Sequence, residues 1–361
     1  MRYVFDAVSS TPGVEHHVAL AQHEGVAGRS GALADTSAAG RLRALGATLH
    51  VIEMRRNPLH PTNARAIVAV GRVISEVRPE VVHGHSSVGG AVGRLAARAA
   101  GLPATYTPNG LMASVPAVAF ERVLGPLTAR LVAVSPTEGE RAVALKLVPE
   151  SRVAIIPNGI QLESPPAAGG DWDNLRARLG LAPGTPLVAT VARVAAQKAP
   201  EEFVRACAAV ARRRPGVHFL LIGLGPQQRR VDRAVAAGGL AGRFHQIGHV
   251  PDAAALMAQF DVFVLLSRYE GGPYVPLEAM RAGEPVVLSD VVGNHDTVEQ
   301  GVTGFLVRFA DAEAAATAVV RLLDDGALRS TVVARARERL RRDFDVRLMG
   351  ERLAALYAEL A

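Results

Sequence analysis

The chain has little of several residue types, and each shortage excludes a class of protein. A single cysteine, Cys207, in 361 residues permits no internal disulfide and favours a reducing compartment. Aromatic residues make up only 4% of the sequence and no zinc-ligand spacing occurs, which argues against nucleic-acid binding. No run reaches the roughly 18 uncharged apolar residues of a membrane-spanning helix, and Asp6 interrupts the N-terminal apolar run too early for a signal peptide. These shortages predict a cytoplasmic protein without a membrane span.

Lysine is also scarce. Lysine and arginine together total 40 and the net charge is +6, yet only Lys146 and Lys198 are lysines. This preference for arginine makes each lysine a candidate for a specific role, although Lys146 has no functional context and is assigned to the surface. The basic surface is either simply solvated or in contact with anionic lipid headgroups, each nearby cation contributing about 1 kcal/mol. Contact with the inner face of a membrane therefore stays open.

Short apolar runs alternate with Ala- and Arg-rich amphipathic segments, as in parallel βα units. With 49% hydrophobic residues, the chain can build two domains that each have a core. Strands are predicted at residues 3–8, 48–54, 80–85, 103–108, 131–135 and 153–157, and then at 187–191, 217–222, 244–247, 261–266 and 285–289. Residues 21–45 are assigned to no element. The pattern predicts an α/β protein with two doubly wound parallel-sheet domains facing across a cleft, where ligands bind at the carboxyl ends of the strands.

The domain boundaries follow from composition. Residues 161–184 are rich in Pro, Gly and Ala and carry no strand pattern, which is typical of a connection. We predict a first domain over 1–163, a connection over 164–184 and a second domain over 185–340. A final amphipathic helix over 341–361 completes the chain.

The most informative motif runs from Glu270 to Glu278, Glu-Gly-Gly-Pro-Tyr-Val-Pro-Leu-Glu. Pro276 suits the first turn of a helix, where its missing N–H is not needed. The backbone N–H groups of Tyr274 and Val275 would then lie at the positive end of that helix, which favours a phosphate. A carboxylate on each side of a phosphate can accept hydrogen bonds from sugar or ribose hydroxyl groups. The motif therefore predicts a nucleotide-sugar pocket.

Two cations are predicted just beyond the strand at 187–191. Arg193 offers a planar fork for two phosphate oxygens, and Lys198 offers a compact point charge. Fixed cations of this kind can neutralise the charge that develops on a leaving diphosphate. The Gly223-Leu-Gly225-Pro turn follows the next strand and is interpreted as facing the nucleotide, although it lacks the third glycine of a dinucleotide-binding motif.

Two histidines have two interpretations. His83 and His85 end the predicted 80–85 strand, so they should lie at the edge of the sheet where ligands bind. They could bind a phosphate or an acceptor hydroxyl, but either could equally be packed inside the domain. The sequence does not decide between these interpretations.

Two further motifs are interpreted as helix caps. Asp171-Trp-Asp173 resembles a metal-binding Asp-x-Asp triplet, but it stands directly before a helical segment at 174–179, where Asp is a common N-cap. Ser135-Pro-Thr-Glu138 has the spacing of a capping box. We therefore predict no metal site and no metal cofactor.

Together these motifs resemble the retaining glycosyltransferases of family 4, which have the two-domain GT-B fold. The resemblance covers most of the chain and is most specific from Arg193 to Val307, where the motifs occur in family order and end in a hairpin at 303–305. Val82-His-Gly-His85 and Ile156-Pro-Asn-Gly159 match family positions in the first domain. The family's last helix crosses back onto the first domain, which implies the same for residues 349–360.

The resemblance also implies roles for individual residues. Arg193 and Lys198 would hold the donor diphosphate, Glu278 the ribose hydroxyls, and Glu270 the sugar hydroxyls beside the anomeric carbon. Further donor contacts are implied at Gly13, Gly223, Gly225, Tyr274 and Val275. Neither a cofactor nor a divalent metal is implied, because the cations and the helix N-terminus would stabilise the departing diphosphate.

The chain departs from the family pattern in its first half. Only Gly13 remains of two glycines that usually lie between the first strand and a helix, and residues 21–45 stand where relatives have a second strand. Asn109 occupies a position at which many relatives have a histidine near the reacting centre, and asparagine cannot carry a proton. Asn109, His83 and His85 are the candidate acceptor-side residues.

The sequence thus predicts a retaining, metal-independent transferase that moves a sugar from a nucleotide-diphosphate sugar, expected to be a UDP-sugar. The acceptor would be a hydroxyl group of a glycan, a lipid-linked glycan or a small molecule. Two alternatives remain open: an epimerase, which would turn over donor without acceptor, and a non-catalytic binder, which would bind donor without transferring it.

Overall fold

The computed structural model describes residues 10–11, 13–22, 38–55, 57–111, 114–163, 172–250 and 253–361. The chain divides into two compact units. The first comprises Met1–Gly159 and Val346–Ala361, and the second comprises Ile160–Asp345. The sequence placed the corresponding boundaries after residues 163 and 340. The predicted strand at 3–8 and part of the segment 21–45 lie outside the described residues.

The first unit contains parallel strands in the part of the chain that the structure describes. Its strands are β1 (His17–Gln22), β2 (Thr48–Glu53), β3 (Val82–His85), β4 (Ala104–Thr107), β5 (Arg130–Ala133) and β6 (Val153–Ile155). Strands β1 and β2 pair with each other, and β3 to β6 form one parallel sheet in chain order. The helices are α1 (Ala38–Ala44), α2 (Pro61–Val77), α3 (Ser86–Ala100), α4 (Val115–Leu124), α5 (Pro136–Ala144) and the C-terminal helix Val346–Leu360. The predicted strands from 48 onwards are confirmed, whereas β1 was missed.

A buried ion pair ties two helices of the first unit to its sheet. Arg94 of α3 donates to the Glu121 carboxylate of α4 at 2.7 Å, and the Tyr106 hydroxyl of β4 donates to the same carboxylate at 3.0 Å. The Arg94 guanidinium also lies 3.9 Å from the centre of the Tyr106 ring. Removing one member of such a buried set leaves an uncompensated charge and typically costs about 3–5 kcal/mol. This network fixes the inner side of α4 and leaves its outer side for other contacts.

The second unit is one parallel sheet with helices on both faces. Its strands are β7 (Leu187–Val191), β8 (His218–Ile222), β9 (Phe244–Ile247), β10 (Val262–Leu265), β11 (Val286–Ser289) and β12 (Phe305–Val307). The spatial order is β12-β11-β10-β7-β8-β9, so the chain changes direction across the sheet between β7 and β10. The helices are α6 (Leu175–Arg178), α7 (Pro200–Arg213), α8 (Gln228–Ala237), α9 (Tyr274–Ala282), α10 (Asn294–Thr297), α11 (Ala312–Asp324) and α12 (Gly326–Asp343). The predicted doubly wound α/β architecture is confirmed.

Helices cover both faces of this sheet, which explains why β7, β10 and β11 are almost entirely apolar and buried. In β8, Phe219 and Leu221 pack into one apolar cluster with α7 and α11, while Leu220 and Ile222 pack into a second cluster with α9 and α12. Alternate side chains of one strand thus enter two different cores. The sheet is held rigidly, and the loops at its carboxyl edge are built on that rigid frame.

Two predictions about the second unit are corrected. Residues 303–305 do not form a hairpin, because β12 runs parallel to β11 and is joined to it by a long connection. The cap of the segment at 174–179 is Asn174, whose side chain accepts the Ala177 N–H at 2.9 Å, so Asp173 does not cap it. Asp171 lies outside the described residues. Among the helices that the structure describes, none is long and apolar enough to cross a membrane.

Glu284, between α9 and β11, gives the second unit an expected dependence on pH. Burial, with the nearby Asp261 carboxylate, raises the pKa of Glu284 to about 8. A carboxyl group with a higher pKa in the folded chain binds more protons when folded, so its contribution to stability is lost as the pH rises from about 4.5 to 8. We expect Glu284→Gln, which cannot ionise, to unfold several degrees above the wild type at about pH 9 and near it at about pH 5.

Thermal unfolding across this pH range measures the effect. The matched control is Glu338→Gln on α12, at an exposed carboxylate, which should follow the wild type at every pH. A Glu284→Gln variant that also follows the wild type throughout would show that Glu284 ionises normally in the folded chain.

Candidate functional site

The two predicted cations lie on the loop that leaves β7 at the point where the sheet order reverses. After Arg193 the chain makes a tight turn, in which the Ala195 N–H donates to the Arg193 carbonyl at 2.8 Å. A single 3₁₀ turn, Ala196–Lys198, follows, and α7 begins only at Pro200 after Ala199 in the left-handed conformation. Lys198 therefore precedes the helix rather than starting it. The loop places both cations beyond the carboxyl end of β7, where open α/β sheets bind ligands.

Gly223 and Gly225 hold this loop in place. A Cβ atom at Gly223 would lie 2.0 Å from the Ala192 carbonyl oxygen, and one at Gly225 would lie 2.3 Å from the Val194 carbonyl oxygen. The two loops are also joined by backbone hydrogen bonds, since the Val194 N–H donates to the Leu224 carbonyl at 3.1 Å. Only glycine permits this approach. The sequence assigned these glycines to the nucleotide, and the structure shows that they fit the loop after β8 against the loop of Arg193.

Lys198 and Glu270 are brought together from loops on the two strands flanking the reversal. The Lys198 Nζ lies 2.5 Å from Glu270 Oε1, and their side chains are 17% and 5% exposed. Gln197 reinforces this contact, because its amide nitrogen donates to the Tyr269 carbonyl at 3.2 Å and lies 3.4 Å from Glu270 Oε2. The Arg268 N–H in turn donates to the Gln197 carbonyl at 2.8 Å. The loop after β7 and the loop after β10 therefore form one structure around a single ion pair.

The loop after β11 supports Glu270 from behind. Gly293 has φ near +85°, and a Cβ there would lie 2.5 Å from the Gly271 carbonyl oxygen. Below it, the Ser289 hydroxyl donates to the Ser267 carbonyl at 2.6 Å, and the Asn294 amide donates to the Ser289 carbonyl at 2.9 Å. These supporting residues and Gln197 were not predicted from the sequence. Their only signal there is a position at the end of a buried strand or in the loop that follows one.

Helix α9 has the bounds that the motif predicted. It begins at Tyr274 and ends at Gly283, which has φ near +94°. The N-cap of α9 is Pro273, whose side chain carries no hydrogen-bond acceptor, so no cap side chain covers the N-terminus of this helix. Glu278 lies on the same helix and is buried. The second unit therefore joins two cations, a helix N-terminus and two buried carboxylates on the loops and helix beyond β7 and β10.

In the first unit, His83 is a packed residue. Its Nδ1 lies 2.7 Å from the Tyr357 hydroxyl of the C-terminal helix, and its Nε2 lies 2.7 Å from the Thr107 hydroxyl. Burial, and then the charge of His85, lower the pKa of His83 well below its ordinary value. Burial also lowers the pKa of His85 to about 3, and the two rings are stacked with centres 4.2 Å apart. Both imidazoles are thus neutral near pH 7, which is unfavourable for binding an anion through charge.

Asn109 lies at the carboxyl end of β4 in a loop that a buried carboxylate holds. Its backbone is left-handed, with φ near 56°. Glu138 accepts the Gly110 N–H at 2.7 Å and the Val134 N–H at 2.9 Å. The predicted capping box is half formed: the Ser135 hydroxyl accepts the Glu138 N–H at 3.2 Å, but Glu138 bonds elsewhere. The sequence did not show that Glu138 positions the loop of Asn109.

Gly13 lies in a turn with φ near +81°, a conformation that favours glycine. Strand β1 follows this turn and begins at His17. Across the described residues, no group of three or more His, Cys, Asp or Glu side chains is placed to hold a metal ion.

Each half of the chain matches a known family of glycosyltransferases. Residues 171–339 match the family described as "Glycosyl transferases group 1", and residues 8–164 match "Glycosyltransferase Family 4". A 2-deoxystreptamine glucosyltransferase of Streptomyces kanamyceticus is 32% identical over 272 residues, which cover 70% of each chain. A UDP-Gal:alpha-D-GlcNAc-diphosphoundecaprenol alpha-1,3-galactosyltransferase of Escherichia coli is 27% identical over 308 residues, covering 82% of this chain and 79% of that protein.

The fold has a solved counterpart. The crystal structure of Anabaena HepE in complex with UDP has a TM-score of 0.80, with 20% sequence identity over 99% of this chain and 96% of that chain. At this level of identity the likeness concerns the fold, which is the two-domain GT-B fold that the motifs predicted.

Proposed function

Since the chain belongs to family 4 of the glycosyltransferases, we propose that it transfers a sugar from a UDP-sugar to a hydroxyl group with retention of configuration. A glycan, a lipid-linked glycan or a small molecule would be the acceptor. The enzyme would act in the cytoplasm, at the inner face of a membrane when the acceptor is lipid-linked. The single cysteine, Cys207, is buried and reduced, which suits a reducing compartment.

The observation that carries the proposal is the Lys198–Glu270 pair at the reversal of the sheet. The pair joins the loop after β7, which also carries Arg193, to the loop after β10, which leads into α9. A nucleotide diphosphate is bound by cations and by N–H groups at a helix N-terminus, and its sugars need acceptors for their hydroxyl groups. These loops and α9 offer both. Glu278 on α9 would accept from the ribose, and Glu270 from the sugar that is transferred.

UDP is the nucleotide that the comparisons favour. The Escherichia coli relative uses UDP-Gal by name, and the Anabaena structure holds UDP. Gly223 and Gly225 contact the loop of Arg193, so any effect they have on nucleotide binding would be indirect, through the position of that loop.

The proposed chemistry is a displacement on one face of the sugar through an oxocarbenium-like transition state. The bond from the anomeric carbon to the phosphate oxygen breaks, and a bond to the acceptor oxygen forms on the same side. The acceptor proton then passes to an oxygen of the departing UDP. Arg193, Lys198 and the α9 N-terminus stabilise the charge on that leaving group, and one such donor is worth roughly 3–4 kcal/mol. In this scheme no divalent metal is required.

Thermal unfolding against UDP, GDP, ADP and TDP, each with and without a chelator, tests the donor site. A ligand at a hundred times its dissociation constant adds about 2.7 kcal/mol, which raises the unfolding temperature by several degrees. Of the four nucleotides, we expect only UDP to give this shift, and we expect the chelator to leave the shift unchanged. A shift lost with chelator would overturn metal independence, and the absence of any shift would overturn the donor site.

An activity assay completes the test. UDP release from a UDP-sugar should depend on added acceptor. Isomerisation of the donor without acceptor would indicate the epimerase alternative, and binding without any turnover would indicate a non-catalytic binding protein.

A further inference from the structure

Two connected basic depressions lie at the amino-terminal edge of the first unit's sheet. The larger has a volume of about 560 Å³ and the smaller about 390 Å³, and they share Pro126 and Arg152. Their cationic lining residues are Arg122, Lys146 and Arg152 in the larger, and Arg98, Arg130 and Arg152 in the smaller. No acidic side chain is among the described residues that line either one. The remaining lining is largely apolar.

Among the described residues, the cations of the larger depression form no ion pair. Arg122 donates through Nε to the Leu145 carbonyl at 2.8 Å, and Arg152 donates to the Thr128 carbonyl at 3.4 Å. Both contacts fix the side chains without cancelling their charge. In the smaller depression, by contrast, Arg130 pairs with Glu359. The positive charge that no described carboxylate balances is therefore concentrated at Arg122, Lys146 and Arg152. Lys146 is one of only two lysines in the chain.

Helix α4 carries an exposed apolar stripe next to these cations. Val115, Ala119 and Val123 are spaced four residues apart and so share one face of the helix. Val115 is 82% exposed and Val123 is 75% exposed, which is unusual for valine. Arg122 lies beside them, at the end of α4 that borders the larger depression. The opposite face is fixed in the core by Glu121.

We propose that these residues form a docking face for an anionic lipid bilayer, with α4 lying in the plane of the membrane interface. We define the docking face as Val115, Ala119, Arg122, Val123, Lys146 and Arg152. Exposed apolar side chains beside cations suit the interface, where the former enter the headgroup region and the latter meet anionic headgroups. A soluble anion would match the depressions but would leave the valine stripe exposed. A bilayer accounts for both.

The orientation of α4 connects this face to the carboxyl edge of the sheet. The helix leaves the carboxyl end of β4, near Asn109, and leads to the amino end of β5, where the depressions lie. Its ten residues span about 15 Å. A bilayer along α4 would therefore reach from the basic depressions to the edge that carries the candidate acceptor-side residue. This link to a lipid-linked acceptor rests on the proposed function, whereas the docking face itself does not.

Co-sedimentation with vesicles tests the docking face without donor or acceptor. The vesicles are phosphatidylcholine alone or with about 30 mol% phosphatidylglycerol, at about 0.1 M salt. We expect the wild type to bind the anionic vesicles and the triple variant Arg122→Gln/Lys146→Gln/Arg152→Gln to bind them about a hundredfold more weakly, since each cation contributes about 1 kcal/mol and 1.4 kcal/mol is a factor of ten. The variant Val115→Ser/Val123→Ser should weaken binding at equal charge.

The matched control is Arg233→Gln/Arg335→Gln/Arg341→Gln, which removes the same charge from exposed positions of the second unit. It should bind like the wild type. Equal weakening by both triple variants would reduce the effect to net charge and overturn the docking face. So would wild-type binding that does not depend on phosphatidylglycerol, or a valine variant that binds normally.

Two further readouts separate this inference from others. Analytical ultracentrifugation of the wild type and the Val115→Ser/Val123→Ser variant would show a dimer becoming a monomer if the stripe instead binds a second copy of the chain. Nucleotide-induced thermal shifts should be identical in the wild type and the docking-face variants. Failure of vesicle binding with a normal UDP shift would overturn the docking face alone, and the reverse result would overturn the donor site alone.

Discussion

We expect Lys198→Ala to lower kcat at least about a hundredfold, the usual loss when one preorganised donor to a developing oxyanion is removed. Lys198 is the compact cation on the loop after β7, and its Nζ is held 2.5 Å from Glu270. The charge on a leaving diphosphate increases towards the transition state, so a cation placed there stabilises that state more than the bound donor. The loss should therefore fall on kcat, measured by UDP release at saturating donor and acceptor.

The chain offers a matched control for this substitution. Lys146→Ala removes the only other lysine, which is exposed on the first unit, and should leave kcat with a soluble acceptor unchanged. Lys198→Arg restores a positive charge but not its compact shape, and a partial recovery of kcat would show that position matters as well as charge. A kcat for Lys198→Ala near that of the wild type would remove Lys198 from the mechanism. A raised KM with normal kcat would limit it to ground-state binding.

A loss of stability could imitate a loss of catalysis, because Lys198→Ala leaves the buried Glu270 carboxylate without its partner. The double variant Lys198→Ala/Glu270→Gln removes that unpaired charge. If its unfolding temperature returns towards the wild-type value while kcat stays low, the catalytic loss belongs to the missing cation or carboxylate and not to unfolding. Glu270→Gln alone then separates these two.

The sequence was most informative about the second unit, because its central strands are buried on both faces. Strand β7 has the predicted bounds because its nearly continuous apolar run lies between polar or glycine-containing segments, and β9 also has the predicted bounds. The loop of Arg193 could likewise be located, because it directly follows the end of a strand. The start of α9 could be located from Pro276, which suits the first turn of a helix. That Lys198 contacts Glu270, however, depends on β7 and β10 being neighbours, which is a property of topology.

The missed features are those that depend on distant parts of the chain. Strand β1 was overlooked because His-Val-Ala-Leu-Ala-Gln has few β-branched residues, and pairing with β2 stabilises it. The role of Glu138 was misread because its spacing from Ser135 indicates a capping box, while its actual partners lie 28 and 4 residues away. His83 could not be assigned without Tyr357, which is 274 residues further along. Local patterns do not contain such contacts.

The second large effect is expected at Gly225, where the substitution to alanine should raise the dissociation constant for UDP at least about tenfold. The added Cβ would lie 2.3 Å from the Val194 carbonyl oxygen and 2.7 Å from its carbon, both backbone atoms that cannot rotate away. The loop of Arg193 would have to move, and such overpacking typically costs about 1–3 kcal/mol of stability. Because Gly225 has an ordinary backbone conformation, the effect would be steric and not a matter of strained φ.

Titration calorimetry with UDP and thermal unfolding measure the two consequences separately. The control is Gly216→Ala, at a glycine before β8 in the same unit, where no described atom lies within 4 Å of the added Cβ and φ is ordinary. Gly216→Ala should leave both affinity and stability close to the wild type. If Gly225→Ala lowers stability yet binds UDP normally, then Arg193 does not contact the nucleotide. The donor diphosphate would in that case depend on Lys198 and the N-terminus of α9 alone.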